Sequence, residues 1–182
     1  RPQFEVIFEP VKGSYKLNET VEITGQAKAY SGAMISGSEV SYRVVRQMRF
    51  PWRYRFIDIW PEQSETEITN GTTTTDENGN FSISFKAIPD YQTPKKFKPL
   101  FNYTVYADVT DITGETQSAQ TQVNVSYEAL KVEIDLAEAV NQAHFDSLVF
   151  RTKNLNGQPV DVSGTITISR LQEPERLLRE KY

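Results

Sequence analysis

Few residues in this 182-residue chain are of a type that does chemistry, and their spacing argues against most reactions. There is no cysteine, hence no thiolate nucleophile, no thiolate metal site and no disulfide framework. The one histidine, His144, lies in Asn141-Gln142-Ala143-His144-Phe145 with no Glu-x-x-His or second imidazole beside it, so it reads as a loop residue rather than a ligand or base. Carboxylates group as Asp76 with Glu77, and as Asp108, Asp111 and Glu115. The second set could offer oxygens to calcium, but its spacing matches no EF-hand-like loop, and aspartate at a tight turn serves the turn itself. No Gly-x-Ser-x-Gly elbow, phosphate loop or dinucleotide fingerprint occurs. The chain is therefore expected not to be an enzyme and to take no metal or cofactor.

One stretch has the chemistry of a surface. Arg46-Gln47-Met48-Arg49-Phe50-Pro51-Trp52-Arg53-Tyr54-Arg55-Phe56-Ile57-Asp58-Ile59-Trp60 interleaves arginines with aromatics. Such mixtures stack on bases, sugars or a protein partner, which makes Arg49, Trp52, Arg53, Tyr54, Arg55 and Trp60 a candidate interaction surface. Alternation also accounts for it more simply: Trp52, Tyr54 and Phe56 inward, Arg53 and Arg55 on the solvent side of an edge strand, where charge blocks sheet-to-sheet pairing. Lys95, Lys96 and Lys98 read as a solvated loop. Asn-x-Ser/Thr sequons fall at Asn18, Asn70, Asn102 and Asn124, the last two inside expected strands, where a glycan has no room.

The elements that must carry these residues are strands. Val, Ile, Thr, Tyr and Phe are plentiful, and apolar and polar residues alternate with period two almost throughout. Phe4, Val6 and Phe8 share one face of a first strand; Val21, Ile23, Gly25, Ala27 and Ala29 line a second; Val40, Tyr42 and Val44 a third. A Thr-rich strand at about 65 to 75 leads to Asp76-Glu77-Asn78-Gly79-Asn80, a hairpin signal, and then to Phe81, Ile83 and Phe85. After a Pro- and Lys-rich connection, Phe101-Tyr103-Val105-Ala107-Val109 turns at Thr113-Gly114 into a strand bearing Val123, Val125 and Tyr127. Seven or eight antiparallel strands within residues 1–127 predict an all-β, immunoglobulin-like sandwich. Twenty basic against 24 acidic residues, a net charge of −4, leave no electrostatic footprint for nucleic acid. No apolar run approaches the roughly 18 residues of a membrane span, so direct insertion is not expected.

The opening of the chain is written again near its end. Phe4-Glu5-Val6-Ile7-Phe8, Val21 to Lys28, Gly32 and Val40 to Arg46 return as Leu130-Lys131-Val132-Glu133-Ile134, Leu148 to Lys153, Gly157 and Ile166-Thr167-Ile168-Ser169-Arg170. Residues 128–182 thus read as the incomplete N-terminal part of a second sandwich, joined without a flexible linker through Tyr127-Glu128-Ala129 and held in a fixed relation to the first. Further strands are expected at about 146 to 152 and 162 to 170. The face formed by Leu130, Val132, Leu148, Phe150, Ile166 and Ile168 is expected to lack a full cover, with the parent protein continuing past Tyr182.

Arg1-Pro2-Gln3-Phe4-Glu5-Val6 resembles the opening of a macroglobulin domain of the alpha-2-macroglobulin family. Gly13-Ser14-Tyr15-Lys16-Leu17-Asn18-Glu19-Thr20-Val21, Gly25 to Gly32 and Val40 to Arg46 are similar to the same domain in bacterial, Bacteroides-like members. Thr75 to Phe81 and Tyr106 to Thr116 fit as well, and the likeness extends loosely over 128 to 171 as the start of the next domain. The resemblance implies a large exported protease-trapping protein, periplasmic or extracellular, in which a protease cuts a bait segment and the domains rearrange around it. Many members add a cysteine-glutamine thioester. Neither a bait nor a thioester is evident here, so the resemblance implies a scaffold segment whose partners are neighbouring domains and, through the parent, target proteases. The alternative is an immunoglobulin-like or transthyretin-like binding module of a bacterial surface protein, using the strip around Trp52.

Overall fold

The computed structural model describes residues 3–49, 65–135 and 147–169. Among the described residues nine strands follow in order: β1 (Phe4–Phe8), β2 (Thr20–Ala29), β3 (Glu39–Arg49), β4 (Thr66–Thr74), β5 (Asn80–Lys86), β6 (Leu100–Thr110), β7 (Thr116–Val125), β8 (Leu130–Asp135) and β9 (Val149–Asn154). They form a three-stranded sheet β1-β2-β5, a four-stranded sheet β4-β3-β6-β7 and a two-stranded sheet β8-β9, with every strand pair antiparallel. The first two sheets face one another as an immunoglobulin-like sandwich.

The alternation written in the sequence decides which side of each strand is inside. Phe4, Val21, Ile23, Ala27, Phe81, Ile83 and Phe85 from one sheet meet Val40, Val44, Phe101, Tyr103, Val105, Val109, Val123 and Val125 from the other. These side chains exclude water between two pleated faces, the arrangement that stabilises a sandwich most. Phe8 meets Phe81 edge to face, ring centres 5.6 Å apart. Tyr103 keeps its polar tip satisfied by donating from Oη to the Ile88 carbonyl at 2.8 Å, and burial pushes its phenol well above the ordinary value.

Two expectations need correction. Asn78-Gly79 forms a tight turn, but β4 and β5 on either side of it belong to different sheets, so the turn carries the chain across the sandwich instead of closing a hairpin. β5 is drawn onto β2, pairing Phe85 with Val21 and Phe81 with Gly25, because that register places its aromatic face inside. The strand expected at 162 to 170 is absent among the described residues: 162–169 is irregular and exposed, with Ile166 at 61% and Ile168 at 81% exposure. Its counterpart in the first copy, β3, is held between β4 and β6, and no described strand offers such pairing here. The last sheet accordingly has two strands where three were expected.

Candidate functional site

The repeat is visible in register as well as in sequence. β1 pairs with β2 so that Phe4 stands opposite Ala29 and Phe8 opposite Gly25; β8 pairs with β9 so that Leu130 stands opposite Asn154 and Ile134 opposite Phe150. The turns that follow match too. Ala29 N–H donates to Ala33 and Gly32 N–H to Ala29, as Asn154 N–H donates to Gln158 and Gly157 N–H to Asn154. Gly32 and Gly157 hold φ of 89° and 85°, a conformation that side chains with a Cβ adopt only under strain. Lys28 bridges to Met34 and Lys153 to Pro159.

Where β8-β9 meets the sandwich, side-chain amides make the contact. Asn154, only 1% exposed, donates from Nδ2 to the Gly13 carbonyl at 3.0 Å, while its Oδ1 accepts from the backbone N–H groups of Asn156 and Gln158, both at 2.9 Å. Asn156 grips the backbone of Asn124 from both sides: its Oδ1 accepts from Asn124 N–H at 2.7 Å and its Nδ2 donates to the Asn124 carbonyl at 3.4 Å. It thereby satisfies an N–H and a C=O on the outer edge of β7, which an unpaired edge would otherwise present to other chains. The floor is braced from within the sandwich: Leu17 N–H donates to the Ser126 carbonyl at 3.0 Å, and Ser126 Oγ to the Pro99 carbonyl at 2.8 Å. The chain passes from β7 to β8 through Ser126-Tyr127-Glu128-Ala129 alone. Lys98, expected as loop solvent-facing charge, pairs with Glu128 at 2.9 Å, and the Lys95 ammonium lies 4.9 Å from the Tyr127 ring centre. The exposed ion pair adds little.

The hairpin itself has two unlike faces. On one, Glu133 sits between Lys131 at 2.9 Å and Lys153 at 3.0 Å, whose hydrogen bonds and charge lower its carboxyl to about 2. Asp135 pairs with Arg151 at 3.3 Å. On the other, Leu130, Val132 and Ile134 are 39%, 52% and 56% exposed; of the face expected from the sequence Leu130 and Val132 are exposed here, while Leu148 and Phe150 are half-buried.

Of the candidate surface strip, only the backbone of Arg49 falls within the described residues, opposite Leu100 at the end of β3; Trp52, Arg53, Tyr54, Arg55 and Trp60 lie outside them, as does His144. The carboxylates weighed for calcium have other employment. Asp111 accepts from Thr113 N–H, Thr113 Oγ1 and Glu115 N–H, the Thr113 hydroxyl doing most to hold its carboxyl below the usual range. Asp108 accepts from Ser118, and Glu115 from Gln3 N–H and Gln117. Asp76 serves its turn in the same way, its carboxyl lowered chiefly by the Asn80 N–H. A shallow depression of about 390 Å³ on the outer face of the four-stranded sheet has Arg43 stacked 4.2 Å from the Tyr106 ring centre. Sequence reasoning missed the asparagine contacts, although aligning the two copies sets Asn154 against Ala29 and Asn156 against Ser31.

The fold has solved counterparts. Its structural neighbours are bacterial alpha-2-macroglobulins. The native conformation of the Escherichia coli protein matches at a TM-score of 0.55 and 12% identity, over 86% of this chain and 11% of that one. The same protein activated by porcine elastase matches at 0.56 and 11%, over 85% and 14%. Salmonella alpha-2-macroglobulin reacted with methylamine matches at 0.53 and 12%, over 86% and 11%. At these identities the likeness shows the fold, and this chain spans between 11% and 14% of the length of those proteins. No protein-family model matches the sequence, and no curated protein matches it. No described helix is long and apolar enough to cross a membrane.

Proposed function

We propose that this chain is a scaffold segment of a large exported protease-trapping inhibitor of the alpha-2-macroglobulin kind. In this reading residues 1–127 are one macroglobulin-like sandwich and residues 128–182 the incomplete first part of a second. The observation that carries it is the second hairpin, repeated in register and docked on the end of the first sandwich, within a fold whose solved neighbours are alpha-2-macroglobulins. One of those neighbours is described as activated by trypsin and another by elastase, so a protease acts on them. The segment's work is mechanical: it holds neighbouring domains of its parent in a set relation and meets proteases only through the parent, in the periplasm or outside the cell. It binds no nucleic acid, inserts in no membrane and catalyses nothing. With no cysteine, it supplies no thioester thiol of its own.

The parent, incubated with trypsin, should leave the protease active on a small peptide substrate and inactive on a large protein substrate. Activity retained on both overturns trapping. The 182-residue chain alone should inhibit neither, and potent inhibition by it would contradict a scaffold role.

A further inference from the structure

Among the described residues four turns share one backbone pattern, and they differ in a way that isolates what the junction requires. Asp76 to Asn80, Asp111 to Glu115, Ala29 to Ala33 and Asn154 to Gln158 each close with the first residue's N–H donating to the fifth and the fourth residue's N–H donating back to the first. The fourth residue is glycine in all of them. In three, the first side chain also accepts from the backbone N–H groups of the third and fifth residues: Asp76 from Asn78 and Asn80, Asp111 from Thr113 and Glu115, Asn154 from Asn156 and Gln158. That task needs only an acceptor, which aspartate supplies, and Ala29 shows that the turn closes without one. An amide adds one capacity a carboxylate lacks, a donor. At Asn154 the donor leaves the turn and reaches Gly13, across the junction and out of water.

We propose that Asn154 and Asn156 are a docking key: their side-chain amides, rather than the turn that carries them, fix the orientation of β8-β9 on the sandwich by gripping the Gly13 carbonyl and the outer edge of β7 at Asn124. Being uncharged, the key holds independently of salt, unlike the Lys98–Glu128 pair beside it. An aspartate at position 154 keeps the turn, as Asp76 and Asp111 do, and turns a carboxylate oxygen against the Gly13 carbonyl.

The test is Asn154→Asp in the full 182-residue chain, read by residual dipolar couplings of backbone amides. In the unaltered chain β8-β9 and the sandwich should fit one alignment tensor. At pH 7 the variant should need two, with the amides internal to β8-β9 still protected from exchange. Asn154→Ala, which lacks the donor as well, should also need two. A single tensor in Asn154→Asp at pH 7 overturns the proposal. If instead β8-β9 unfolds in that variant, Asn156→Ala decides, because it leaves the acceptor bonds of Asn154 in place: two tensors there support the key and one overturns it. The role of the key rests on the scaffold reading, but no protease enters the measurement. A chain that keeps one tensor disposes of the key and leaves trapping untouched, whereas a parent that fails to trap leaves the key standing.

Discussion

Phe4 in the first hairpin and Leu130 in the second occupy the same register position, one opposite Ala29 and the other opposite Asn154, yet Phe4 has no exposed surface and Leu130 has 39%. Strand pairing, side-chain alternation and turn are the same in both. The difference lies in what stands across from them. β1-β2 face β3, β6 and β7, whereas the apolar face of β8-β9 has no described sheet over it. Local sequence thus suffices to write a hairpin, while the opposing sheet converts its apolar face into a core.

The comparison can be broken most severely at that position. Phe4→Ala should cost the sandwich about 3–5 kcal/mol in chemical denaturation, and Leu130→Ala less than about 1 kcal/mol. Equal losses would mean that the second hairpin is covered in solution after all. The turns should behave alike where the cores do not: Gly32→Ala and Gly157→Ala each place a Cβ at positive φ, at about 1–2 kcal/mol, and hydrogen exchange should show each loss confined to its own hairpin. A smaller contrast is Ile134→Lys, which should leave the sandwich's unfolding midpoint within error and reduce binding of a hydrophobic dye; unchanged dye binding would place the exposed apolar face elsewhere. Smallest is an acid effect confined to the second hairpin. The Glu133 carboxyl is lowered in the folded chain, so its contribution is present above about pH 4.5 and lost as pH falls toward about 2. Carboxyl carbon shifts should titrate in that window, and Glu133→Gln should abolish the accompanying change in β8-β9 exchange.

What was legible follows from the same division. Inward faces at Phe4, Val21, Ile23, Val40, Val44, Phe81 and Phe101 could be read from alternation, because period two is imposed by the strand itself. The crossing at Asn78-Gly79 could not, since a tight turn has the same chemistry whether it closes a hairpin or changes sheets; the choice was made by β2, which lies far away in sequence. Ile166 and Ile168 carried the pattern of a strand with no described strand to pair with, and pattern alone does not supply backbone bonds. Asn154 and Asn156 have one role inside their own turn, where Asn154 accepts the Asn156 and Gln158 N–H groups. Their second role depends on Gly13 and Asn124, which only the fold brings near.

The passage Ser126-Tyr127-Glu128-Ala129 has a consequence for reversibility. Four extended residues reach roughly 13–14 Å, so a hairpin released from Gly13 and Asn124 stays leashed beside its seat. At that leash length its local concentration is on the order of millimolar, and re-seating is an intramolecular event that outruns any encounter with a free competitor. A junction opened at Gly13 and Asn124 would therefore close again by itself, so its release is reversible.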